Sequence, residues 1–177
     1  DNRSSRGLGD VYKRQSLLYY KIYIDQISYL LNNLGININT VPVLDIAREK
    51  TSKVIGDRSF SKNKKIVNIF GNFTIDQFHK NNIATVIKHI PGHGLGKVDS
   101  HYKLPIINNS NQYLLKNDFL TFKNKNSLFA MTGHLLFKKI DNLNSVTHSK
   151  KIIKLIRNKI NFKNLIMSDD ISMKALP

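Results

Sequence analysis

Residues 84–101 read ATVIKHIPGHGLGKVDSH. Ala84 to Ile90 is a short, mostly aliphatic and β-branched run. It is too short for a typical helix and lacks strict alternation, as expected of a parallel strand covered on both faces. Pro91, Gly92, Gly94 and Gly96 then end the run and open a long loop. Three other stretches have the same character: Ile36 to Leu44 (ININTVPVL), Ser127 to Thr132 (SLFAMT) and Asn164 to Met167 (NLIM).

Helical periods separate these runs. Leu17, Tyr20, Ile24, Ile27, Leu31 and Leu34 recur at three- and four-residue steps, and Gly35 is a natural stop. Ile66, Ile69, Phe70, Phe73 and Phe78 mark a second helix, Tyr113 to Phe122 a weaker third. Ile152, Ile153, Ile156 and Ile160 mark a fourth, with Thr147 or Ser149 as its N-cap. Helix and strand alternate throughout, which predicts an α/β fold: a parallel sheet with crossover helices. A closed (β/α)₈ barrel typically needs about 250 residues. The chain has 177, so the expectation is an open sheet or an incomplete barrel of about four βα units.

Composition narrows the class. Hydrophobic residues make up 41 % of the chain, enough for a core. No apolar run approaches the roughly 20 residues that a membrane helix needs. There is no cysteine, which excludes disulfides and thiolate chemistry and fits a reducing cytoplasm. The net charge of +16 admits a nucleic-acid partner. The lysines, however, are scattered among asparagine and isoleucine and form no basic stripe with interleaved aromatics, so neither nucleic acid nor membrane is expected as a partner. Residues 1–15 carry arginine and glycine where the remainder carries lysine, asparagine and isoleucine. They are read as a non-native or disordered tail, leaving 16–177 as the folded part.

The polar residues of interest stand at the carboxyl ends of the four strands. Asp45 follows the first, Lys88 and His89 end the second, His134 follows the third, and Asp169 and Asp170 follow the fourth. In α/β barrels this is the active face, built from the βα loops. Asp99 and His101 stand two apart in the loop after the second strand. A carboxylate beside an imidazole can fix its tautomer and make it a usable acid/base near neutral pH. Asp169 has a bland reading as the N-cap of a helix over Ile171 to Leu176, and a chemical one as a nucleophile. Arg58, in GDRSF, is either a surface arginine or a hydrogen-bonding fork for hydroxyls.

Several motifs in order carry a resemblance. KHIPGHG (Lys88 to Gly94) with DSHYKLP (Asp99 to Pro105) is similar to a KH-F-PGHG…DSH…P signature, and MSDDISMKA (Met167 to Ala175) to an SDD-L-SM motif. GININ…PVLDIA, GDRSF and MTGHLLFKKID fall in the matching order. Together they resemble the bacterial β-N-acetylglucosaminidases of glycoside hydrolase family three. The resemblance implies a (β/α)₈ barrel and a retaining glycosidase without metal or organic cofactor. Asp169 would be the nucleophile, His101 the general acid/base and Asp99 its partner. Arg58, Lys88 and His89 would bind a terminal N-acetylglucosamine. It further implies a peptidoglycan fragment as substrate, cytoplasmic wall recycling, and a monomer when the barrel is complete. Asp170, His93 and His134 fall near the site with no role assigned. An acidic substrate-binding segment that the family carries upstream is not found here. The expectation is therefore a poorly stable or inactive fragment with exposed strand edges.

Two other readings compete. His89, His93, Asp99, His101, His134 and Asp169 offer enough ligands for a zinc or dinuclear hydrolase. A basic nucleic-acid-binding module would explain the charge but leaves the ordered SDD and DSH motifs without a purpose.

Overall fold

The computed structural model describes residues 4–49 and 54–176. A four-stranded parallel sheet in the order β1-β2-β4-β6 is its centre, and a separate parallel pair, β3 and β5, lies beside it. The strands are β1 (Ile38–Asn39), β2 (Ala84–Ile90), β3 (Ile106–Ile107), β4 (Phe129–Thr132), β5 (Leu136–Phe137) and β6 (Leu165–Ser168). The helices are α1 (Ser4–Asn33), α2 (Lys64–Lys80), α3 (Asn111–Lys116) and α4 (Lys150–Leu155). The alternation expected from sequence holds, and β3 and β5 are additions that two-residue strands could not announce.

Local chemistry explains the boundaries. Gly35 has φ +72°, a conformation that costs a glycine little, and α1 stops beside it. The helical backbone of α1 begins at Ser4, well inside the segment set aside as a tail. Asn63 caps α2 by accepting from the Lys65 amide at 2.9 Å, and Ser149, rather than Thr147, caps α4 by accepting from the Ile152 amide at 3.1 Å. The helix expected over Tyr113 to Phe122 divides at Asn117 into α3 and a 3₁₀ helix, Asp118–Phe122. The fourth helix ends as a π-turn, Ile156–Ile160, closed by Asn161 at φ +61°. No helix forms over 171–176, which is a series of turns.

The first strand is shorter than Ile36 to Leu44 because Pro42 has no N–H to give to the ladder. The chain nevertheless stays beside β2: Val86 donates to Val41 O, Lys88 donates to Pro42 O, and the Leu44 amide donates to Lys88 O at 2.8 Å. This carries Asp45 to the carboxyl end of β2. Between β2 and β4 the register slips, with Lys88 opposite Met131 and Ile90 opposite Thr132. His89 is the extra residue, and such a bulge re-aims a side chain.

The core lies between the sheet and the covering helices. Leu44, Ile87, Ile90, Phe119, Phe122, Phe137, Ile152 and Phe162 belong to one cluster and are almost wholly buried. Each contributes about 1.5–3 kcal/mol relative to exposure. A second cluster of Ile24, Phe78 and Ile83 holds α1 to α2. β1 and β6 are the sheet's edge strands, and Leu165 on β6 is 65 % exposed.

Candidate active site

The strand ends converge on one cleft of about 170 Å³. Arg58, Lys88, His89, His101 and Asp169 all line it, together with Ser100, Met131 and Met173 among others. Five of the six residues to which the resemblance gives a role therefore line one cleft, and the sixth, Asp99, bonds His101.

Asp45 organises the β2 side. Its carboxylate is fully buried. Oδ2 accepts from the His89 amide at 3.1 Å and lies 2.7 Å from His89 Nδ1, while Oδ1 accepts from the His93 amide at 2.6 Å. Burial works against its charge, but the bond from His89, the charges of His89 and His93 and the His93 amide outweigh it and hold the carboxyl below its ordinary range. His89, pinned on one ring nitrogen, turns Nε2 towards Asp169 Oδ2 at 3.9 Å. Asp169 is fixed by its amide donating to Thr132 O at 3.1 Å, an extension of the β4–β6 ladder.

The loop after β2 carries the dyad. His101 Nδ1 lies 2.7 Å from Asp99 Oδ1, and the His101 amide donates to the same oxygen at 2.9 Å. Burial opposes the Asp99 charge, but the His101 amide, ring and charge outweigh it and hold Asp99 below its usual value. His101 itself is half exposed, open to both water and the cleft. Buried His93 reaches Ser100 Oγ at 3.3 Å and so ties the start of the loop to the residue between the dyad's members. The loop passes so close to the segment that follows β1 that a Cβ on Gly94 would fall 2.4 Å from Ile46 O.

Cationic groups face the carboxylates. Burial pushes the Lys88 ammonium below its ordinary value, Arg58 adds to this, and Asp169 and Asp45 pull it back. Arg58 ends a 3₁₀ turn, Gly56–Arg58, and donates to Val54 O at 2.5 Å. His134 and Asp170 do not line the cleft. His134 bonds Thr147 Oγ1 at 2.8 Å and the Asp170 carbonyl at 2.9 Å, and Asp170 caps its own turn by accepting from the Ser172 amide and hydroxyl. Both serve the backbone that presents Asp169.

The sequence profile of the Glycosyl hydrolase family 3 N terminal domain matches residues 4–177. The chain belongs to glycosyl hydrolase family 3. A β-hexosaminidase of Actinobacillus pleuropneumoniae is 33 % identical over 146 residues, which are 80 % of this chain and 42 % of that protein. A family 3 β-N-acetylglucosaminidase from Paenibacillus superposes with TM-score 0.80 at 30 % identity, over 85 % of this chain and 30 % of that one. Zinc-bound CbsA from Thermotoga neapolitana superposes with TM-score 0.83 at 34 % identity, over 90 % of this chain and 35 % of that one. The chain thus spans under half the length of these relatives, and its parallel α/β arrangement is part of the family's TIM-barrel-type domain.

From sequence Asp45 stands out only as a strand-end residue, Ser100 only as part of the DSH motif, and Met173 carries no signal for the cleft. The available signal for Asp45 was an acid directly after the apolar run PVL. The six His and Asp residues considered as metal ligands do not close on one point: among the described residues, no group of three or more His, Asp or Glu is arranged to hold a metal ion.

Proposed function

We propose that the protein is a retaining β-N-acetylhexosaminidase that removes a terminal β-linked N-acetylglucosamine. The observation that carries this reading is the single cleft in which Asp169 faces Lys88, Arg58 and His89, with the Asp99–His101 pair at its rim. Retaining glycosidases work by double displacement, usually with two carboxyl groups. Here an imidazole takes the place of the second. In the first step Asp169 attacks the anomeric carbon, the glycosidic C–O bond breaks, and His101 gives a proton to the departing oxygen. In the second, His101 takes a proton from water, the water oxygen attacks the anomeric carbon, and the Asp169–sugar ester bond breaks. Asp99 holds the His101 ring on Nδ1. Lys88, Arg58 and His89 hold the sugar's hydroxyls.

The names of the relatives support this substrate class, as hexosaminidases and an N-acetylglucosaminidase. We infer further that the aglycone is a peptidoglycan fragment, that the enzyme works in the cytoplasm and is a monomer when its barrel is complete, and that it engages neither nucleic acid nor membrane.

The test is release of the phenol from an aryl N-acetyl-β-glucosaminide, with and without chelator. Turnover insensitive to chelator, and lost by at least ~10³-fold in Asp169→Asn, is expected. Turnover abolished by chelator would instead favour a metal-dependent hydrolase, a reading that the zinc-bound relative keeps in view. No turnover by the folded full-length protein would remove the glycosidase assignment.

A further inference from the structure

We propose that Asp45 is a positioning residue of this cleft, fixing the Nδ1–H tautomer of His89 so that Nε2 meets Asp169 and the ligand as a lone pair. The inference rests on the glycosidase reading for its consequence, but its structural part stands alone. Asp45 Oδ2 receives the His89 amide at 3.1 Å and His89 Nδ1 at 2.7 Å, and Oδ1 receives the His93 amide at 2.6 Å. Two oxygens facing three nitrogens, two of them obligatory N–H donors, act as an ionised acceptor set. His89 Nδ1 must then carry a proton. In a neutral ring that leaves Nε2 unprotonated.

The consequence falls on Asp169, 3.9 Å from Nε2. An Nε2–H tautomer would aim a donor at this carboxylate, and a closed hydrogen bond would stabilise the charge that has to attack the sugar. The Nδ1–H tautomer leaves the Asp169 lone pairs for the anomeric carbon and offers Nε2 as an acceptor for a sugar hydroxyl. Asp45 can do this because the backbone ladder from Leu44 to Lys88 fixes the two chains in register. Its side chain is fully buried, so solvent does not compete for its oxygens. Asp45 also reaches the acid/base loop: its hold on the His93 amide anchors the ring that bonds Ser100, between Asp99 and His101.

Asp45→Asn tests this. Asparagine keeps one acceptor oxygen, which stays with the backbone amide of His93, and turns its NH2 group to the His89 side, where Nδ1 must accept and the ring moves to Nε2–H. Long-range ¹H–¹⁵N correlation spectra of the ring nitrogens, with His89 identified by the signals that vanish in His89→Gln, read the tautomer directly. A protonated Nδ1 in the wild type and a switch to Nε2–H in Asp45→Asn is the expected pair of results. A wild-type ring that carries a proton on Nε2, whether as the neutral Nε2–H tautomer or as the imidazolium, or an unchanged Nδ1–H in folded Asp45→Asn, overturns the proposal. Should Asp45→Asn not fold, the wild-type spectrum decides alone. In the full-length protein kcat/KM for the aryl glycoside falls ~10²-fold in Asp45→Asn, the scale of a misplaced group. Absence of turnover in the wild type would count against the glycosidase reading, while the tautomer measurement would still judge Asp45.

Discussion

Replacing Arg48 with alanine removes the partner of a buried acid. Both Asp118 oxygens lie 2.9 Å from Arg48 Nη2, and the Asp118 side chain is 2 % exposed. Burial raises the Asp118 carboxyl above its ordinary value, and the Arg48 guanidinium pulls it part of the way back. Breaking one half of a buried pair costs about 3–5 kcal/mol, because the remaining charge stays desolvated. The Arg48 side chain is 25 % exposed, so water can follow it in and the lower end applies, about 3 kcal/mol. For a chain of this size that is a fall in Tm of about 6–12 °C. The loss is also pH-dependent. Without Arg48 the folded-state pKa of Asp118 rises further above the unfolded value, so protonation favours the folded form. The deficit of Arg48→Ala therefore shrinks as pH falls below that raised value and returns as pH rises through it. The double change Arg48→Met with Asp118→Leu recovers most of the stability, since no charge is left buried. Thermal melts followed by circular dichroism over pH 4–8 measure all of this. A loss under 1 kcal/mol, or a double variant no better than Arg48→Ala, refutes the reasoning. The pair matters to the site because Asp118 packs against Gly92, where an added Cβ would stand 3.1 Å from the Asp118 Cβ, and so braces the loop that leads to His93.

Two further outcomes follow from buried charges and caps. Lys125 is 7 % exposed and donates to Asn68 and Asn72, and burial lowers its pKa to about 8. Its folded-state value lies below the unfolded one, so stability rises with pH between about 8 and the ordinary lysine value, and Lys125→Met flattens that slope in pH-dependent chemical denaturation. Asp141 accepts from the Ser149 hydroxyl and the Leu143 and Asn144 amides, and these bonds, the one from Ser149 above all, hold its pKa at about 2. Asp141→Ala costs about 2 kcal/mol in urea melts at pH 7. In the wild type that stabilisation is present above the ordinary aspartate value and fades as pH falls towards 2, a fade the variant lacks.

The periods of Leu17 to Leu34 and Ile66 to Phe78, and the runs Ala84 to Ile90 and Ser127 to Thr132, were legible because hydrophobic spacing is a local property of a chain that must bury one face. The parallel sheet of alternating units, the carboxyl-end placement of the polar residues and the family motifs follow from the same string, while the strand order comes from the fold. Less could be read where non-local contacts decide. Ile106–Ile107 and Leu136–Phe137 pair with each other at a distance in sequence and leave no period in strands of two residues. The break at Asn117 and the turns over 171–176 arise from packing against neighbouring segments, which propensity does not see.

By itself, the sequence picks out Arg58, Lys88, His89, Asp99, His101 and Asp169 as candidates, from their place at strand ends and in motifs, and five of these line one cleft. Only the tertiary structure decided how they are held. The role of Asp45 depends on a 44-residue separation closed by the β1–β2 ladder, and the separate duty of His134, bonded to the Asp170 backbone rather than facing the cleft, depends on one of 36. A hydrogen bond is set by distance and direction within a few tenths of an ångström, and those quantities exist only once the sheet has fixed which strand lies beside which.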